Sequence, residues 1–156
     1  MIHIQRPGQD PLEFDSLFVD FEGTLAYDGR VHPKAKDKIN LLSKRLRIFI
    51  FTKGEKERLE EILRRVKAEV IYMAEGEAAQ KKIEFLRQVG PIRSVAIGNG
   101  LDDVQMIEEA GLGICVIGKE GASGEAVKKA DLVVLSILDA FDFLLKPLRQ
   151  KATLGS

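Results

Sequence analysis

Short apolar runs alternate with stretches of helical periodicity along the whole chain. The runs SLFVDF (16–21), LRIFIFT (46–52), EVIYM (69–73), SVAIGN (94–99), GICVIG (113–118) and DLVVL (131–135) have the length of strands. They lack regular polar alternation, which is the pattern of strands buried on both faces. Between them, apolar positions recur at helical spacing over 33–45, 55–67, 76–89, 101–110, 124–130 and 138–146. Strands separated by helical crossovers of this length predict an α/β fold: a Rossmann-like, doubly wound, mostly parallel sheet with helices on both faces. In front, IHIQ and LEF joined by RPGQDP predict a small antiparallel hairpin, and Asp28-Gly29 in YDGRV predicts a second, tight one. No repeat, linker or low-complexity segment interrupts the series, so one domain is expected over residues 1–156.

In such sheets ligands bind beyond the carboxyl ends of the strands, where the strand order reverses. That rule selects Asp20, Glu22, Gly23 and Thr24 after the first of these strands, Thr52 and Lys53 after the second, and Asn99, Asp102 and Asp103 after SVAIGN. Asp20 has the chemistry of a nucleophile toward phosphorus or of a metal ligand, and equally that of a turn cap. Glu22 reads as a proton donor and acceptor beside it, or as an ordinary exposed acid. Gly23 permits a sharp turn, and the Thr24 and Thr52 hydroxyls could each hold a phosphate oxygen. Asp28-Gly29 is a surface turn or a flap leaning over Asp20. Lys82 shares a helical face with Leu86 and Val89, so it starts on the buried side, where lysines are unusual unless paired. Lys81 points elsewhere. In GNGLDD (98–103), Asn99 and Asp103 are hard oxygen donors suited to Mg²⁺, while Asp102 and Asp103 also suit a helix N-terminus.

Composition narrows the function classes. Twenty-four basic residues balance twenty-four acidic ones, which argues against nucleic acid or an anionic membrane as the main partner. No apolar run approaches a membrane span, and the start MIHIQRPGQD lacks the apolar core of a signal peptide. The single cysteine, Cys115, cannot form an internal disulfide. A cytoplasmic location is expected.

Taken in order, Asp-x-Glu-Gly-Thr-Leu, a strand ending in Thr52, the helix lysine and Gly-x-Gly-x-x-Asp resemble the haloacid dehalogenase (HAD) superfamily. Within it the chain is similar to the small "soluble P-type ATPase-like" group, and the similarity runs through EEAGLGICVIGKEGASGEAVKKADLVVL to the end. The resemblance implies Mg²⁺ and phosphoryl transfer to a water through an aspartyl-phosphate. It implies catalytic roles for Asp20 as nucleophile, Glu22 as acid and base, and Lys82. Thr52, Lys53, Gly23 and Thr24 would bind phosphate. Asp20, the Glu22 backbone carbonyl, Asn99 and Asp103 would bind the metal. Two residues depart from the pattern: Glu22 stands where most such phosphatases have aspartate, and Asn99 where they have an acid. The intervals from Asp20 to Thr52 and from Thr52 to Lys82 leave no room for a cap domain. The expected substrate is a phosphate ester of a small molecule or a protein, at an open site or one covered by a second copy of the chain. The alternative is a regulatory module that binds phosphate and Mg²⁺ and turns over slowly.

Overall fold

The computed structural model describes residues 1–155, so Ser156, the last residue of the expected domain, lies outside it. The chain opens with β1 (Ile2–Arg6) and β2 (Gln9–Phe14), an antiparallel hairpin set apart from the main sheet. Six further strands follow: β3 (Ser16–Asp20), β4 (Arg47–Thr52), β5 (Glu69–Tyr72), β6 (Ser94–Gly98), β7 (Leu112–Val116) and β8 (Leu132–Val134). They form one parallel sheet in the order β5-β4-β3-β6-β7-β8. The connecting helices are α1 (Pro33–Leu42), α2 (Lys56–Ile62), α3 (Ala78–Val89), α4 (Val104–Glu109) and α5 (Gly124–Lys129). Two more, α6 (Ile137–Leu145) and α7 (Pro147–Leu154), close the described chain.

From β3 the chain moves outward through β4 and β5, then returns to the other side of β3 for β6, β7 and β8. The order therefore reverses beside β3, and the carboxyl ends of β3 and its neighbours β4 and β6 are where such a sheet places a ligand site. Strand alternation divides the core into two layers. Leu17, Val19, Ile48, Ile50, Val95 and Ile97 face the layer that includes Ile39, Leu42, Phe141 and Leu144 of α1 and α6. Phe18, Phe49, Phe51 and Ala96 face the layer of α3 and α4 with Ile83, Leu86 and Met106. In that second layer Phe18 stacks on Phe49 at 5.0 Å between ring centroids, and Phe85 of α3 meets the Phe18, Phe49 and Phe51 rings edge-on. Asp20 has the same parity as Phe18, so its side chain emerges toward α3. Phe85 fixes α3 against the sheet one turn beyond Lys82.

The elements differ from the sequence expectation in several places, and α1 ends at Leu42 rather than at residue 45. The helix expected over 55–67 stops at Ile62, and Arg65 takes a positive φ of 67°. Asn40 of α1 clamps the turn that follows, donating to the Arg65 carbonyl and accepting from the Lys67 N–H. Helix α7 lies beyond the last expected helix, 138–146: Pro147 opens it at its first turn, where the missing N–H costs nothing. The segment 101–110 begins as a 3₁₀ turn over Leu101–Asp103 before α4 starts. The loop RPGQDP shrinks to a turn at Pro7-Gly8, and Pro11 sits within β2, tolerated because a two-stranded ribbon has only edges. At Asp28-Gly29, φ values of 52° and 73° and the reciprocal Tyr27–Arg30 backbone bonds, each 3.0 Å, make the turn that an Asp-Gly pair favours. It closes a single residue pair.

Candidate active site

The residues at the three strand ends converge. Asp20 closes β3 and is almost wholly buried. Lys82 reaches it from α3, with Nζ 2.9 Å from Asp20 Oδ1 and 2.7 Å from Asp103 Oδ1. Asp102 Oδ2 lies 3.5 Å from the same ammonium and 3.8 Å from Lys53 Nζ. Lys82 and Asp103 have no exposed surface at all. Lys81 points away, donating to the Tyr72 carbonyl at the edge of the sheet.

One cation thus faces three carboxylates. Burial disfavours the Lys82 charge, but Asp103, Asp20 and Asp102 outweigh it and hold the ammonium above the ordinary lysine range. The Asp20 carboxyl is held well above the ordinary aspartate range by burial first and by the neighbouring Asp103 second, against the pull of Lys82. The pocket carries an excess of negative charge.

The backbone after β3 turns sharply on Gly23, whose φ of 77° suits glycine. A Cβ at Gly23 would lie 2.6 Å from Glu120 Oε2 and 2.9 Å from Asn99 Nδ2. The next residue, Thr24, is buried with its hydroxyl 3.1 Å from both Asp20 Oδ2 and Asn99 Oδ1. Asp103 closes the glycine turn after β6: its Oδ2 accepts from the N–H groups of Asn99 and Gly100 at 3.0 and 3.1 Å. Both Asp103 oxygens are therefore engaged inward, one by Lys82 and one by the loop. Gly98 makes this possible, since a Cβ there would collide with the Asp103 carboxyl.

At the end of β4, Thr52 is buried and its hydroxyl is oriented on two sides. It accepts from the Gly54 N–H at 3.0 Å and donates to Glu22 Oε2 at 2.7 Å. Glu22 Oε1 accepts from the Lys53 N–H at 2.7 Å. Glu22 itself is exposed. Beside it a cleft of about 660 Å³ is lined by Phe21, Lys53, Arg58, Leu59 and Ile62 among others. A second hollow, about 430 Å³ between the hairpin and α7, is lined by no carboxylate and by no residue of this cluster.

The donor set fits a small divalent cation. Thr24 has one hydroxyl proton for two acceptors, so Asp20 Oδ2 and Asn99 Oδ1 compete for it and one stays unmatched. The Glu22 carbonyl receives no N–H among the described residues. A carboxylate, an amide oxygen and a carbonyl are hard donors, and Mg²⁺ takes few protein ligands and several waters. Among the described residues no group of three or more His, Cys, Asp or Glu is arranged as a metal site.

Two participants escaped the sequence reading. Glu120, in the loop after β7, stands against Gly23 and raises the Tyr27 hydroxyl pKa, second to burial. That hydroxyl is buried without a hydrogen-bond partner and packs on Gly118, where any Cβ would strike it. The strand-end rule that selected Asp20, Thr52 and Asn99 applies equally to the loop after β7 and could have found Glu120.

The fold is that of HAD-type hydrolases. A protein of Streptomyces avermitilis described as a HAD family hydrolase superposes with a TM-score of 0.69 at 20% identity, over 88% of each chain. The 3-deoxy-D-manno-octulosonate 8-phosphate phosphatase of Moraxella catarrhalis, solved with magnesium, phosphate and its sugar acid, gives 0.72 at 13% identity over 87% of this chain and 88% of that one. The cobalt-bound phosphatase of Haemophilus influenzae gives 0.71 at 14% identity over 90% and 91%. No protein-family model matches the chain. In sequence it is 45% identical, over 83 residues, to an uncharacterised protein of Methanocaldococcus jannaschii, covering 53% of this chain and 89% of that one. The chain belongs to the same family as that archaeal protein. No helix among the described residues is long and apolar enough to cross a membrane.

Proposed function

We propose that this chain is a Mg²⁺-dependent phosphatase of the HAD superfamily that works through an aspartyl-phosphate on Asp20. The observation that carries the reading is the buried Lys82 ammonium held between Asp20 and Asp103 at the carboxyl end of β3, next to the Thr52 and Lys53 donors. An Asp20 oxygen attacks phosphorus, and the bond from phosphorus to the ester oxygen breaks. Glu22, after taking a proton from solvent, gives it to the departing alcohol. A water then attacks the aspartyl-phosphate, Glu22 takes its proton, and Asp20 is restored as inorganic phosphate leaves. Lys82 offsets repulsion between the Asp20 carboxylate and the phosphoryl oxygens, while Thr52 and Lys53 hold those oxygens. Thr24 orients Asp20 and Asn99. Asp20, Asn99 and the Glu22 carbonyl would hold the divalent ion, which when bound would supply positive charge favouring ionised Asp20 and offsetting the charge of the phosphoryl group. In this reading Asp103 holds Lys82 and the Asn99 loop rather than the ion itself.

The cleft beside Lys53 leaves room for the leaving group of a small phosphate ester or a phosphorylated protein segment, and a second copy of the chain could roof it. The test is release of p-nitrophenol from its phosphate by the purified chain with Mg²⁺, against the Asp20→Asn variant. Equal rates would sink the catalytic reading. A second reading is favoured by one observation, the neutral Asn99 amide where an acid would bind the ion more tightly. On it the chain is a phosphate- and Mg²⁺-binding regulatory module. Orthovanadate binding without hydrolysis would favour that reading.

A further inference from the structure

Glu22 sits on the donors that the proposed reaction reserves for phosphate. Its carboxylate spans the Thr52 hydroxyl and the Lys53 N–H, with 2.7 Å to each. A carboxylate is an anion presenting two acceptor oxygens, and here it stands where two oxygens of a phosphoryl group would bind. The donors are built in advance. The Gly54 N–H fills the acceptor side of the Thr52 oxygen, so the hydroxyl proton is aimed at the place Glu22 occupies. The carboxylate is exposed and has no other hydrogen-bond partner among the described residues, so it can leave without breaking any further polar contact.

We propose that Glu22 is an internal competitor for the anion subsite. The same two donors cannot serve Glu22 and a phosphoryl group at once. An arriving phosphate ester therefore displaces the carboxylate. Filling the subsite and freeing the Glu22 side chain are one exchange. The length of glutamate matters: an aspartate at this position would be about 1.5 Å shorter, and at least one of the two bonds would stretch beyond hydrogen-bonding distance. The apparent affinity for phosphate is then the intrinsic affinity reduced by the fraction of time the donors are free. The inference rests on the phosphatase reading only for the identity of the displacing anion.

The experiment titrates inorganic phosphate, with Mg²⁺ at saturation, into the full chain and its Glu22→Ala and Glu22→Asp variants. Heat and the Lys53 amide resonance in ¹⁵N–¹H spectra are both followed. Both variants are expected to bind phosphate about tenfold more tightly, as they would if the carboxylate holds the subsite nine-tenths of the time. Both are also expected to move the Lys53 amide before any phosphate is added. Glu22→Asp keeps the charge and loses the reach, so it separates occupancy from simple repulsion. If Glu22→Asp binds like the parent while Glu22→Ala binds tightly, charge alone is at work and the proposal falls. It falls too if neither variant gains affinity or if neither binds phosphate. Failure of the catalytic reading looks different: no turnover above Asp20→Asn, with the gain in phosphate affinity intact.

Discussion

Lys82 Nζ and Asp103 Oδ1 lie 2.7 Å apart at a depth where neither residue has any exposed surface. Asp20 completes the cluster from the other side of the ammonium. Removing the cation leaves carboxylates buried without a counter-charge, which costs far more than the pair itself is worth. Lys82→Met, chosen to keep the volume, is expected to destabilise the fold by about 3–5 kcal/mol at neutral pH. The loss should shrink as the pH falls, because protonating the stranded carboxyls relieves it. Urea unfolding at pH 7 and pH 5 measures both. A loss that is small, or that grows on acidification, would show that the three groups do not act as one unit.

The turn on Gly23 makes a separate prediction. Its φ of 77° is strained for any residue with a Cβ, and that Cβ would press on Glu120 and on the Asn99 amide. Gly23→Ala should cost about 1–3 kcal/mol in backbone strain. It should also shift Asn99 and weaken Mg²⁺ binding. Gly124→Ala is the control, since a Cβ there would meet nothing. Thermal melting with and without Mg²⁺ reads both effects. A Gly23→Ala chain that still gains as much from Mg²⁺ as the parent would detach this turn from the metal.

Asp142 offers a pH test remote from the site. Burial pushes its carboxyl up, but Lys38 of α1, then Lys146 and Arg149, more than reverse this and hold it below the ordinary value of 3.8. A lowered folded value means that the stability it contributes is present above about pH 4 and is lost as the pH falls through the folded value. Asp142→Asn should therefore cost about 1.5 kcal/mol at pH 7 and progressively less below pH 4, as the parent loses the same contribution. Unfolding curves at pH 7 and pH 3 decide it. A constant difference across that range would mean that the Asp142 charge does not matter.

Much of this arrangement is legible in the chain because buried parallel strands announce themselves as apolar runs. SLFVD, RIFIFT and SVAIG fix where the sheet ends, and the residues just beyond them are Glu22, Lys53 and Asn99. Helical spacing places Lys82 inward for the same reason: it shares a stripe with Leu86. What is not legible depends on contacts between distant segments. Helix α2 stops at Ile62 because Asn40, from another helix, clamps the following turn. Glu120 reaches Gly23 from nearly a hundred residues away. The position of the Glu22 side chain follows from donors on the last residue of β4 and the residue after it, and no local pattern around residue 22 specifies it.

Asn99 gives the sharpest test of the metal reading. Its amide oxygen and Asp20 Oδ2 share one hydroxyl proton from Thr24, so an acceptor is already left over beside the nucleophile. Asn99→Asp adds a negative charge at that point with little change of shape. Without a metal, the new carboxylate faces Asp20 in a pocket where one ammonium already serves three acids, and repulsion should lower the melting temperature. With Mg²⁺ the same charge becomes a ligand, and affinity should rise about tenfold, on the order of 1.4 kcal/mol. The variant should thus be less stable than the parent in EDTA and gain more from Mg²⁺ at equal concentration, since ligand stabilisation grows with the ratio of concentration to Kd. Melting in EDTA and across a Mg²⁺ series measures the crossover directly. If Asn99→Asp is destabilised by the same amount with and without Mg²⁺, the ion does not bind between Asp20 and Asn99, and the donor set assigned to it here is wrong.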